Sequence, residues 1–186
     1  VNHVKEDGSG VAIVTDNIQA TRVMIDHLYE QGARKIAFIN GPLDHYEARE
    51  RQRGVIEALK DYGLEPAMLL PGDFTEQGGY LAGQELLKSG CKVDAIFAAN
   101  DVTAIGCMYA MNQAGLYAPK DFLLAGFDCI PLSGYITPRL TSMRVNVRQM
   151  GERAIHLLMQ KISGELQGDV CESRHPELVV RESTQK

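Results

Sequence analysis

The chain has 186 residues, 45% of them hydrophobic and 23% charged, with a formal net charge of -5. That length supports one large domain or two small lobes around a real core, and the balance is that of an ordinary globular protein. No apolar run approaches the roughly 18 residues that span a bilayer; residues 1–7 lack the basic start and apolar stretch of a signal peptide; and a net negative surface does not, as a whole, attract a phosphate backbone.

The first apolar run, Val11–Thr15, reads as a buried strand. A helix is predicted over 21–31, with Ile25, Leu28 and Tyr29 inward and Gly32 as its stop. A strand over 35–40 runs into the turn Gly41-Pro42-Leu43. In the helix that follows, Ala48, Gln52, Val55, Ile56 and Leu59 share a face, and Gly63 ends it. Next come a strand over 67–70 and a helix with Tyr80, Gly83 and Leu87 on one side, stopping at Gly90. A strand over 94–98 leads to a helix over 102–114 that Gly115 terminates. That helix carries two apolar stripes, Val102-Ile105-Tyr109 and Ala104-Met108-Met111, so one side is expected to be buried and the other docked.

A fifth strand is predicted over 122–126. Strand starts recur roughly every 30 residues, the length of a βαβ crossover. Strict alternation of this kind predicts an α/β fold, a parallel sheet with helices on both faces. After Asp128 the rhythm breaks: Pro131, Gly134 and Pro138 mark an irregular connection before a strand over 140–145. A last helix over 147–163 has Val147, Met150, Ala154, Leu157 and Ile162 on one face; Gly164 and Gly168 loosen the chain, and 176–181 reads as extended.

Cys91, Cys107, Cys129 and Cys171 form no C-x-x-C pair, and His3, His27, His45, His156 and His175 are scattered, so neither zinc nor a disulfide framework is indicated. Reduced thiols fit a cytoplasmic protein. There is no G-x-S-x-G elbow, G-x-G-x-x-G, P-loop, H-E-x-x-H or EF-hand loop. Asp101 and Asp128 could pair as acid and base, but no nucleophile accompanies them. The reading is a binding module, not an enzyme, with no cofactor and no metal.

In an open parallel sheet, ligands bind beyond the carboxyl ends of the strands. The residues that follow each predicted strand supply Arg51 (one turn into its helix), Phe74, Asn100 and Asp128. Arg offers a planar fork of donors, Asp accepts from paired hydroxyls, and Asn does both; an aromatic face packs against the C–H side of a sugar ring or against a base. Plainer roles compete. Asp101 suits a helix N-cap, Arg51 a surface bridge to Glu47, Asp128 the loop amides, Phe74 the core and His45 open solvent. Arrival of the set at one sheet edge favours a small-molecule site. On this reading Arg51→Ala removes ligand binding at little cost in stability.

These residues match a wider pattern. Gly41-Pro42-Leu43 with Arg51 and Gly54, Ala99-Asn100-Asp101 with Ala104 and Gly106, and Gly115-Leu116 to Pro119-Lys120-Asp121 occur in order. Ala125-Gly126-Phe127-Asp128, Thr137-Pro138 to Leu140-Thr141, and Pro176-Glu177-Leu178 to Arg181-Glu182-Ser183-Thr184 follow. Together they resemble the lactose/galactose-repressor (LacI/GalR) family of transcriptional regulators over essentially the whole chain. The resemblance implies a periplasmic-binding-protein-like fold of two lobes, with an effector between them and a DNA-reading helix-turn-helix at the N-terminus. It places Arg51, Asp128, Phe74 and Asn100 at effector contacts, and His45 and Glu47 where ligand selectivity varies. It also places 102–114 and 129–138 in a homodimer contact.

Three departures stand out. The pattern begins late, which implies that residues 11–32 and 147–168 are a remnant of the N-terminal lobe. Residues 33–146 and 169–184 would then form the C-terminal lobe, with the DNA-binding headpiece absent. Val145 stands where the family often has Gln near the hinge, and Cys129 follows Asp128 where a second acid is common. The expected function is effector binding, the effector sugar-like, and dimerisation in a bacterial regulator that meets operator DNA only through the missing domain. The alternatives are a periplasmic carbohydrate-binding protein or a sensor fused to another output module, with a small α/β enzyme a distant third.

Overall fold

The computed structural model describes residues 10–185; the stretch over 1–7 read for a signal peptide lies outside the described residues. Strand β1 (Val11–Thr15) leads into helix α1 (Asn17–Glu30), whose first turn is capped by the Asp16 carboxylate accepting from the Gln19 N–H at 3.0 Å. The cap sets the helix start one turn before the predicted 21. Then follow β2 (Ile36–Ile39), α2 (Tyr46–Asp61), β3 (Met68–Leu70), α3 (Glu76–Ser89), β4 (Ala95–Ala98), α4 (Asp101–Gln113) and β5 (Leu123–Asp128). A 3-10 turn at Pro131–Gly134 fills the irregular connection to β6 (Thr141–Arg144) and α5 (Val147–Ile162). The chain ends in β7 (Val170–Arg174), β8 (Glu177–Val179) and a second 3-10 turn at Glu182–Thr184.

Among the described residues, six strands form one sheet in the order β3-β2-β4-β5-β6-β8, parallel except for β8, which runs antiparallel to β6 along the edge. Helices cover both faces, as the alternation requires. On one side α1 and α2 bury Met24, Ile25, Leu28, Val55 and Leu59 against Phe38, Phe97 and Phe127. On the other, α3 and α4 bury Leu86, Ala104, Met108 and Met111 against Ile39, Ile96 and Leu124. Connections from β2 run outward to β3 and those from β4 run the other way to β5 and β6, so the strand order reverses between β2 and β4. A crevice opens at such a switch point, beyond the carboxyl ends.

A smaller unit stands apart from this sheet. β1 and β7 pair in parallel, Val11 opposite Val170 and Thr15 opposite Arg174, and α5 covers them with Met150 and Leu157 on Ile13. This arrangement shifts the division read from sequence at two points. Helix α1, assigned there to the remnant lobe, packs its Ala20, Met24, Ile25 and Leu28 in the core of the large sheet. β7, assigned to the C-terminal lobe, pairs with β1 instead. Periodicity shows that a helix has an apolar face but not which partner buries it. Val145, which stands where the family often has Gln, packs against the cores of both units.

Candidate ligand-binding site

The loop after β2 begins at Gly41, where a side chain would run into the tip of the Phe74 ring; the bare backbone makes room for the aromatic against the turn. Arg49 closes the same loop by donating from Nη1 to the carbonyls of Leu43 and Asp44, both at 3.0 Å. One turn into α2, Arg51 points the other way, into the protein, and is only 5% exposed. Its Nε donates to Asn17 Oδ1 at 2.9 Å and its Nη1 to the Ala99 carbonyl at the end of β4. The guanidinium carbon sits 3.7 Å above the centroid of the Phe127 ring, and Nη2 faces Asp128 Oδ1 at 3.6 Å.

A cation this buried is stabilised only because each side of its plane has a partner. Burial lowers the Arg51 pKa, opposed first by Asp128 and then by Glu47. Burial likewise raises that of Asp128, with Arg51 opposing and Glu47 adding like charge. The partner of Arg51 is therefore Asp128 and not the surface bridge to Glu47 that spacing allowed. The burial also overturns the expectation that Arg51→Ala is stability-neutral.

Asp128 closes β5 with φ 95°, and Cys129 continues at φ 55°. Phe74 has φ 64°; these are the non-glycine residues of positive φ among those described, and all three lie at the carboxyl edge of the sheet. Backbone in this region is costly for side-chain-bearing residues and collects at ligand sites. Asn100 is the N-cap of α4, accepting from the Thr103 N–H at 2.9 Å, and its Nδ2 donates to the Phe74 carbonyl at 3.1 Å. The cap expected at Asp101 thus belongs to Asn100. His45 is exposed, with its ring edge-on to Phe74 at 5.8 Å between centroids. Glu47 is half-buried and acts electrostatically on both Arg51 and Asp128.

At the carboxyl edge of the sheet the six expected residues form two sets, Arg51 with Asp128 and Glu47, and Phe74 with Asn100 and His45. Chemically the arrangement presents remaining guanidinium N–H groups, a half-exposed carboxylate and an aromatic face, a set suited to hydroxyl-rich ligands. Three further residues were not foreseen. Asn17 orients Arg51, Phe127 underlies it, and buried Asn40 donates to Gln52 Oε1 at 2.6 Å while its own Oδ1 has no partner among the described residues. Asn17 falls before the helix read from sequence and Phe127 directly follows the predicted strand, beside Asp128; only the position of Arg51 shows that both serve the site. Among the described residues no three His, Cys, Asp or Glu side chains cluster as metal ligands, and no helix is long and apolar enough to cross a membrane.

Comparison with known proteins gives a consistent picture. The family described as periplasmic binding protein-like domain matches residues 25–184. The HTH-type transcriptional repressor PurR of Pasteurella multocida is 33% identical over 166 residues, covering 88% of this chain and 48% of the relative. The HTH-type transcriptional repressor CytR of Escherichia coli is 33% identical over 171 residues, covering 91% and 50%. In structure, the cellobiose complex of the transcriptional regulator CelR aligns with a TM-score of 0.90 at 34% identity, over 95% of this chain and 55% of that one. The lac repressor dimer bound to operator and the anti-inducer ONPF gives 0.90 at 28% identity, over 94% and 52%. The chain spans about half the length of the curated relatives it matches.

Proposed function

The chain belongs to the periplasmic-binding-protein-like family, in its lactose/galactose-repressor (LacI/GalR) branch, and from that premise we propose that it is the effector-binding and dimerisation part of a cytoplasmic bacterial transcriptional regulator. The observation that carries this reading is Arg51, a cation held almost out of water yet left with donors facing Asp128 at the carboxyl edge of the sheet. Such a group is expensive to bury and contributes little to a fold that could use an apolar side chain there; a ligand-binding role accounts for the cost. The relatives this chain resembles are transcriptional repressors, which supports binding over catalysis as the action of this edge.

Arg51, Asp128 and Asn100 would bond ligand hydroxyls, Phe74 would stack on a ring face, and His45 and Glu47 would tune the choice of ligand. The cellobiose seen with one structural neighbour makes a saccharide the first class to try. In the whole regulator the effector would favour one lobe arrangement by its differential affinity for the two, and operator contacts would come from a helix-turn-helix outside this chain. Isothermal titration of the chain with a panel of mono- and disaccharides and nucleosides, cellobiose included, tests the site. Saturable binding that Asp128→Asn weakens at least tenfold is expected; binding that survives this substitution unchanged, or a panel with no ligand, counts against the reading.

A further inference from the structure

Asp101 is wholly buried, yet it neither caps α4 nor faces the cleft. Its partners all lie on the chain that follows β5. Oδ2 accepts from the Ile130 N–H at 2.8 Å and from the Ser133 hydroxyl, and Oδ1 accepts from the Ser142 hydroxyl at 2.6 Å. Ser142 Oγ in turn accepts from the Cys129 N–H at 3.0 Å. The two amides that follow Asp128, those of Cys129 and Ile130, thus end on one carboxylate, the first through a hydroxyl and the second directly. Gly126 makes room for this group, because a side chain there would run into Asp101 Oδ1.

The arrangement matters because Asp128 and Cys129 sit in consecutive left-handed conformations, which Asp tolerates better than most side-chain-bearing residues and Cys rarely adopts. A strained backbone persists only where its surroundings over-determine it. Here the surroundings are Asp101 and its hydroxyl relay. We propose that Asp101 is the positioning residue of the cleft: its carboxylate, bonded to Ile130, Ser133 and Ser142, locks the Asp128–Cys129 corner in the shape that brings Asp128 to within 3.6 Å of Arg51. Through Ser133 it also ties that corner to the 3-10 turn that carries exposed Leu132 and Tyr135. The functional meaning of this lock rests on the reading of Arg51 and Asp128 as an effector site, but the lock itself needs no ligand.

Amide hydrogen exchange and the Arg51 Nε–H resonance, both followed by NMR on the ligand-free chain, test it. In Asp101→Ala the Cys129 and Ile130 amides are expected to exchange at least tenfold faster and the Arg51 signal to move, while amides of β2 and β4 keep their protection. Ser142→Ala, the milder change, is expected to release Cys129 by a similar factor and Ile130 by less than threefold. Equal loosening of β2, β4 and the corner in Asp101→Ala would reduce Asp101 to a general structural residue and overturn the proposal. So would a Ser142→Ala variant in which Cys129 exchange and the Arg51 signal are unchanged, and this arm decides the matter if Asp101→Ala does not fold. None of these readouts involves a saccharide, so failure of the ligand panel and failure of the lock are separate results.

Discussion

At the scale of single residues, the site is built from charges that the fold has taken out of water. Replacing Arg51 by Ala removes its bonds to Ala99 and Asn17, strips the cation from the Phe127 face and leaves Asp128 without its counter-charge. Breaking a buried ion pair from one side costs about 3–5 kcal/mol, and the half-exposure of Asp128 discounts that to about 2–4 kcal/mol. For a chain of this size the melting temperature should fall by roughly 5–15 °C, read by scanning calorimetry. An unchanged melting temperature would contradict the burial of the guanidinium. A pH dependence follows from Asp101, whose carboxyl is pushed up to about 6, chiefly by burial and against the bonds from Ser133, Ser142 and Ile130. Between the unfolded value near 4 and the folded value near 6, the folded state holds the extra proton, so this group's contribution to stability falls as pH rises through that window and is flat above it. Asp128, also raised, acts with the same sign. His27 opposes them: burial lowers its pKa, so the unfolded chain takes up the proton first as pH drops below 6.5. The difference between wild type and Asp101→Asn isolates the one group. From urea midpoints at pH 4.5 to 7.5, wild type should lose about 2 kcal/mol relative to the variant, most of it by pH 6 and little beyond pH 7.

At the scale of elements, α4 shows what periodicity can and cannot deliver. Its Ala104-Met108-Met111 stripe is buried on the sheet, as its spacing indicated, and Val102 and Ile105 are half-buried with Tyr109 exposed on the other side. In the connection after β5, Tyr135 is 84% exposed and Leu132 49%. Large exposed apolar and aromatic groups in this number suit a protein contact. If that contact is the homodimer, Tyr109→Arg with Tyr135→Glu should convert a dimer to a monomer in light scattering at micromolar concentration, leaving the far-ultraviolet circular dichroism unchanged. A wild type that is monomeric throughout would remove the basis for it. The strands and helices of the large sheet were legible because alternation, caps and glycine stops repeat with each βαβ unit. β7 was not, because Val-Cys-Glu-Ser-Arg has no alternating apolar pattern and is recruited by β1 across the sequence. In the site, Arg51 and Asp128 could be found from their places after strands. Phe127 holds the same post-strand place but is apolar, and Asn17 lies outside the helix read from sequence, so neither stands out until Arg51 is seen stacked on the one and bonded to the other. The depth of Arg51 was equally hidden, because sequence places a residue on a helix without saying how far its tip reaches inward.

At the scale of the whole molecule, the two sheets are unequally covered. The large one has two helices on each face, whereas β1 and β7 form a two-stranded parallel pair with α5 as their cover. Parallel pairs are ordinarily buried in wider sheets, and two strands alone are marginal. Of the face read from sequence for α5, Met150 and Leu157 are fully buried, but Val147 and Ile162, the latter 71% exposed, turn outward at its two ends and join Ile155, Leu158 and Met159 on the outer face. The family relatives are about twice as long as this chain, so additional structure could cover such a face in them. The 186-residue chain by itself presents it to water. An apolar stripe of this kind binds hydrophobic dyes and associates with itself. Ile155→Lys with Ile162→Glu should therefore lower dye fluorescence severalfold and raise the concentration at which light scattering detects aggregates. Stability in urea should change by less than about 1 kcal/mol, because these side chains bury little within the chain. The large sheet provides the control. Its core is closed on both faces, so Arg51→Ala should move its unfolding midpoint without increasing dye binding before the transition. If the α5 substitutions leave dye binding at the wild-type level while the urea midpoint falls, the stripe is already covered by the chain's own residues and the unequal covering of the two sheets is wrong.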